Sequence, residues 1–229
     1  MSKVNKTKKV NRLQDFPKKI FVRKSHSEFD FLEKLAVDQG AVEAKVMPAS
    51  QIVVEDRAIL KCRAGCASYG KRLTCPPYVP TVAEFRKMLK DYKYALLAKF
   101  TVKAEADSGI AENYLRFQYD PNTPKEQKER ITKFMADLAE DRKRIHSTVL
   151  ELERAAFIHG YPFALGLFGP CYLCKECNVT SGVCIHPTMA RFPEHAVGVN
   201  IKKTAKKAGM TVRFPFSKKP DRFALLLID

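Results

Sequence analysis

The stretch YALLAKFTV, residues 94–102, is short and apolar, with one charge in nine positions. A run of this length without polar alternation reads as a strand and is a candidate for the middle of a sheet. Upstream, Ala41 to Met47 and Gln51 to Leu60 are two further strand-like runs separated by Pro48. Before them, Ser25-His26-Ser27-Glu28 has the capping-box pattern. Phe29, Leu32, Leu35 and Ala36 follow at helical spacing, and Gln39-Gly40 closes the segment. Thr81-Val82-Ala83-Glu84 is a second capping box, opening a helix that carries Phe85, Met88 and Leu89.

Downstream, residues 103–122 are mixed and contain a loop, and Thr123-Pro124-Lys125-Glu126 then sets a helix start. Ile131, Leu138, Ile145 and Leu152 recur every seven residues, with Phe134, Met135, Val149 and Ala156 in neighbouring positions. Lys133, Asp137, Glu140, Asp141, Lys143 and Arg144 make the opposite face charged. This is an amphipathic helix over about 124–159, roughly 50 Å long at 1.5 Å per residue. Tyr161 to Phe168 is a short apolar strand, Asn200 caps a helix from Ile201 to Ala208, and Thr211 to Phe214 and Phe223 to Ile228 read as strands. The expected class is α/β (or α+β), a mixed sheet of four or more strands with flanking helices.

Strand 161–168 delivers the chain into FGPCYLCKECNVTSGVCIHPTMAR, residues 168–191. Cys171, Cys174, Cys177 and Cys184 follow a C-x2-C-x2-C-x6-C spacing. Three sulfurs on one tight turn of chain, with a fourth a little further on, are what a [4Fe–4S] cubane needs. A single zinc ion is the alternative, but it is served by a simpler pattern of two distant C-x2-C pairs. Four cysteines would ligate every iron, giving an electron-relay site with no open position.

A second group, Cys62, Cys66 and Cys75, has C-x3-C-x8-C spacing. Gly65, Gly70, Pro76 and Pro77 make it a loop with fixed turns. Three thiolates without a fourth suit a second [4Fe–4S] cluster with one iron open to substrate or to another ligand, for which His186 is a candidate. A mononuclear metal, a site shared with the first group, and ordinary buried thiols are the competing readings. The spacing is not the C-x3-C-x2-C of radical enzymes that use S-adenosylmethionine. Lys71 and Arg72 could hold an anion beside an open iron, and Arg191 and Glu194 could pair or contact the cysteine loop.

Seven cysteines in clusters, an odd number, argue against a disulfide framework and for a reducing cytoplasm. No apolar run is long enough to span a bilayer, and no apolar core follows the basic N-terminus as a secretory signal requires. The net charge is +16. Residues 1–24 carry nine basic side chains against Asp15 alone, and residues 202–222 carry eight against Asp221. Such fields attract nucleic acid or an acidic redox protein. The expected organisation is a basic, flexible extension over 1–24 and one metal-binding domain over 25–229. A phosphate-binding glycine loop, an H-E-x-x-H motif and an alignable Ser/His/Asp set are all absent.

CRAGCASYGKRLTCPP, ERAAFIHGYPFALGLFGPCYLC and CIHPTMARFPEHAVGVN occur in that order. Together they resemble the "predicted metal-binding protein" family, a domain of unknown function found in bacteria and archaea, over roughly residues 40–229. The resemblance implies metal or iron–sulfur binding by the matching cysteines and no particular activity. The expected function is a cytoplasmic iron–sulfur redox protein, a small oxidoreductase or sulfur-handling enzyme. The alternative is a module with structural zinc or one cluster, whose basic surface docks nucleic acid or an acidic protein.

Overall fold

The computed structural model describes residues 26–107, 109–111, 120–213, 216 and 218–229. The basic segment 1–24, Ser25 of the first capping box and Phe214 lie outside the described residues. Four strands, β1 (Glu43–Pro48), β2 (Tyr94–Thr101), β3 (Leu165–Leu167) and β4 (Asp221–Ile228), form one sheet in the order β1-β2-β4-β3. All three pairings are antiparallel, so the mixed sheet narrows to an antiparallel one, while the α/β class and the strand number stand as expected.

The apolar run that begins at Tyr94 is β2, and it occupies an inner position with β4 at its side. Side chains alternate faces along a strand, so a strand covered on both sides is apolar throughout. Leu96, Ala98 and Phe100, with Ala224, Leu226 and Ile228 of β4, pack against α1 (Asp30–Asp38) and the long helix α4 (Lys125–Ile158). Ala95 and Leu97, with Phe223, Leu225 and Leu227, pack on the other face against Phe85, Ala196, Val197, Val199 and Ala205. The N-terminal half of α4 extends past the sheet, where Ile131, Phe134 and Leu138 bury against Val102, Ala104, Ala106 and Ile110.

Helix α4 runs for 34 residues, as its sevenfold spacing predicts. The Thr81–Glu84 box closes in both directions, with Glu84 N–H to Thr81 Oγ1 at 3.2 Å and Thr81 N–H to Glu84 Oε2 at 2.8 Å, and opens α3 (Val82–Met88). Asn200 caps α5 (Ile201–Lys207) by accepting from Lys203 N–H at 3.0 Å.

Two expected strands are not formed. Residues 51–60 make only an isolated bridge, Val54 to Val199, followed by a 3-10 turn at Asp56–Ile59 and the short helix α2 (Leu60–Gly65). Their backbone groups are satisfied elsewhere. Val53 N–H donates to Thr204 Oγ1, Glu55 N–H to Gly198 O, and Val53 O accepts from Asn200 N–H. Thr211–Arg213 is likewise no strand; Arg213 N–H donates to the Asp221 carboxylate at 3.1 Å. One further shift concerns the site itself. The three-cysteine group, expected wholly in a loop, starts on a helix, because Cys62 sits within α2.

Candidate metal centre

Both cysteine groups lie at turns enforced by proline and glycine. Pro76-Pro77 follows Cys75 and Gly169-Pro170 precedes Cys171, and both peptide bonds are cis. All seven cysteines are free thiols. Cys62, Cys75 and Cys171 are buried, Cys174, Cys177 and Cys184 are half-buried, and Cys66 is exposed.

The two loops touch. The Leu73 amide donates to Cys177 Sγ at 3.4 Å, and Arg72 Nη1 donates to the Cys174 carbonyl at 3.4 Å. Cys75 is two residues, at most about 7 Å of backbone, beyond Leu73. Within the four-cysteine group burial, and then Cys177, Cys171 and Cys184, hold the Cys174 thiol above its ordinary value, with Arg72 opposing. Burial raises the Cys62 thiol, with Cys66 adding to it. Burial also pushes Cys75 up to about 11, with Cys66 and Cys62 adding to the rise, and Thr74 and Arg72 opposing it. Cys62, Cys75 and Cys174 are therefore held as protonated thiols that a bound cation would deprotonate.

His186 belongs to the four-cysteine loop. Its backbone N–H donates to Cys184 Sγ at 3.4 Å, and its carbonyl accepts from Met189 and Ala190 N–H. Two ligand-type sulfurs, Cys177 and Cys184, thus already receive backbone hydrogen bonds, the contact that stabilises anionic sulfur at a metal site. Among the described residues no three His, Cys, Asp or Glu side chains converge as a single ion requires. A cubane asks for something different, one thiolate for each iron instead of several on one ion.

Sequence reasoning did not find the groups that fix the loop to the scaffold. Of the two contacts expected for Arg191, a pair with Glu194 or a contact with the cysteine loop, the loop contact forms, to the Thr188 and Ala190 carbonyls, while its ion pair is with Glu153 of α4, both side chains nearly buried. The same Glu153 Oε1 accepts from Gly166 N–H of β3 at 2.5 Å. His146 of α4 is buried and bonds through Nε2 to the Met189 carbonyl at 2.7 Å. A carbonyl only accepts, so Nε2 carries the proton. Burial lowers the His146 pKa, which keeps the ring neutral. Tyr172 stands edge-on to that ring at 5.3 Å. The available signal was a histidine and a glutamate at positions where the helix pattern is otherwise apolar.

A family model described as "Predicted metal-binding protein (DUF2284)" matches residues 45–228. The chain belongs to this predicted metal-binding family. The match contains both cysteine groups and leaves the basic segment 1–24 outside. No curated protein and no solved structure matches the chain. Family membership supports a metal cofactor in general terms. Among the described residues no helix is long and apolar enough to cross a membrane. The basic stretch 202–222 is partly neutralised, since Lys203 pairs with Glu55 and Lys219 with Glu105.

Proposed function

We propose that this metal-binding protein is a cytoplasmic iron–sulfur redox protein, with residues 25–229 acting as one cluster-binding domain. Cys171, Cys174, Cys177 and Cys184 would hold a [4Fe–4S] cluster, and Cys62, Cys66 and Cys75 a second cluster with one iron open to substrate. When bound, such clusters supply one-electron transfer, and an open iron adds a place for a ligand.

The observation that carries this reading is the amide of Leu73, from the three-cysteine loop, donating to the sulfur of Cys177 in the other loop. It brings the backbone two residues before Cys75 against Cys177, which supports electron transfer between the two groups. The chain's own residues do the rest. Leu73 and His186 donate N–H groups to sulfur, Arg72 ties the two loops together, and the buried sides of both groups exclude water.

The test is anaerobic purification followed by iron and sulfide analysis. About eight irons and eight sulfides per chain are expected for two clusters. About four of each, retained in Cys171→Ser and lost in Cys75→Ser, would overturn the assignment of the four-cysteine loop. Zinc without sulfide would overturn the redox reading altogether.

A further inference from the structure

Between the two cysteine loops lies a cleft of about 440 Å³ lined by Ser68, Lys71, Arg72, Lys175, Glu176 and Cys177, with Ala67 and Val179 completing its wall. Three of these residues are cations and one is an acid. Among the described residues none of Lys71, Arg72 or Lys175 forms an ion pair.

Arg72 is half-buried, lines the cleft and donates through Nη1 to the Cys174 carbonyl. Its charge reaches the thiols of both groups, Cys75 and Cys174. Behind it the positive field continues inward. Burial is the main cause that lowers the Arg142 pKa on α4, and Arg222 and Arg72 add to it. Arg222 stands on β4 opposite Phe100, on the sheet face that α4 covers.

We propose that this cleft binds a small oxyanion, held by Arg72 with Lys71, Lys175 and the Ser68 hydroxyl, in contact with the four-cysteine loop at Cys177. The ligand is either a free inorganic oxyanion or the same group carried on a small organic molecule. A guanidinium offers several N–H donors in a plane that matches two oxygens of such a group, and two flexible ammonium groups close around the remainder. The volume exceeds that of a bare sulfate and lies in the range of small-molecule sites. That this oxyanion is the substrate of the redox centre rests on the reading above; the binding itself does not.

The experiment titrates the full chain, as isolated anaerobically, with sulfate, inorganic phosphate, glycerol phosphate and chloride by calorimetry at low ionic strength. Iron and sulfide are measured on the same preparation. One-to-one binding of sulfate or phosphate is expected, with chloride much weaker. Lys71→Ala and Lys175→Ala, both at exposed positions, each weaken binding by several fold, and Arg72→Lys weakens it by about tenfold. Iron and sulfide stay unchanged in the two lysine variants. Tighter binding of glycerol phosphate than of phosphate assigns the organic source, and the reverse assigns the free ion. Equal binding of chloride and sulfate, or full binding in the Lys71→Ala/Lys175→Ala double variant, overturns the proposal. Oxyanion binding by protein without iron would sink only the redox reading. Iron-loaded protein without oxyanion binding would sink only this one.

Discussion

Arg191 and Glu153 meet in a two-point ion pair beneath the exit of the four-cysteine loop, each side chain only 12% exposed. Arg191 also donates to the Thr188 and Ala190 carbonyls, and Glu153 Oε1 accepts from Gly166 N–H of β3. Helix, strand and loop therefore share one polar junction. Removing one partner leaves a nearly buried charge unpaired, which costs about 3–5 kcal/mol. Arg191→Ala should lower unfolding stability by that order and reduce iron retention. Arg191→Met with Glu153→Gln should recover part of the stability, because it removes the unpaired charge while the amide oxygen still accepts from Gly166 N–H. Urea unfolding of the single and double variants checks it.

Gly169, the residue at the mouth of the same loop, sits against Pro193. A Cβ added there would lie 2.5 Å from Pro193 Cγ, 2.9 Å from its Cβ and 3.1 Å from its Cα. The last two atoms belong to backbone or to a rigid ring and cannot swing aside. Gly169→Ala should cost about 1–3 kcal/mol by overpacking, and the loop that follows should hold less iron. Thermal unfolding with iron analysis on the same sample measures both.

These two contacts explain what the sequence leaves unread. The inner strand at 94–101 is legible because burial on both faces demands an unbroken apolar run, and α4 because its sevenfold repeat persists over its length. Both cysteine groups are legible because thiols at turn spacing have few other uses. Residues 51–60 mislead, since β-branched residues there satisfy their backbone by bonding to residues 198–204 and not to a sheet edge. The partner of Arg191 lies 38 positions earlier in the chain. Pairing at that distance is set by tertiary packing, and no local pattern encodes it.

Glu194 gives the stability a pH dependence. Its Oε2 is buried without a hydrogen-bond partner. Burial pushes the carboxyl up to about 7 from 4.5, against the pull of its own backbone N–H and of Arg222. Between those values the folded chain keeps a proton that the unfolded chain has released, so the contribution is complete below pH 4.5 and is lost as pH rises through 7. At roughly 1.4 kcal/mol per pH unit the loss is on the order of 3 kcal/mol. Glu194→Gln should flatten the profile between pH 5 and about 8 and make the protein more stable at the upper end. Denaturant midpoints across that range test it; an unchanged slope would count against the assignment.

The Leu73 amide offers a direct probe of the four-cysteine site. Cys75 N–H donates to the Arg72 carbonyl at 2.9 Å, closing a turn in which Leu73 is the second residue. Proline is favoured at that place, and the turn does not use the amide of that residue. Leu73→Pro therefore deletes the hydrogen bond to Cys177 Sγ while preserving the turn. A hydrogen bond to sulfur stabilises the more negative, reduced state of a cluster. Its loss should move the reduction potential of the Cys171–Cys184 site to a more negative value, with iron content unchanged. Leu73→Ala keeps the amide and should leave the potential where it was. Potentiometric titration monitored by electron paramagnetic resonance separates the two variants. Equal potentials in both would mean that Cys177 does not ligate the cluster being titrated.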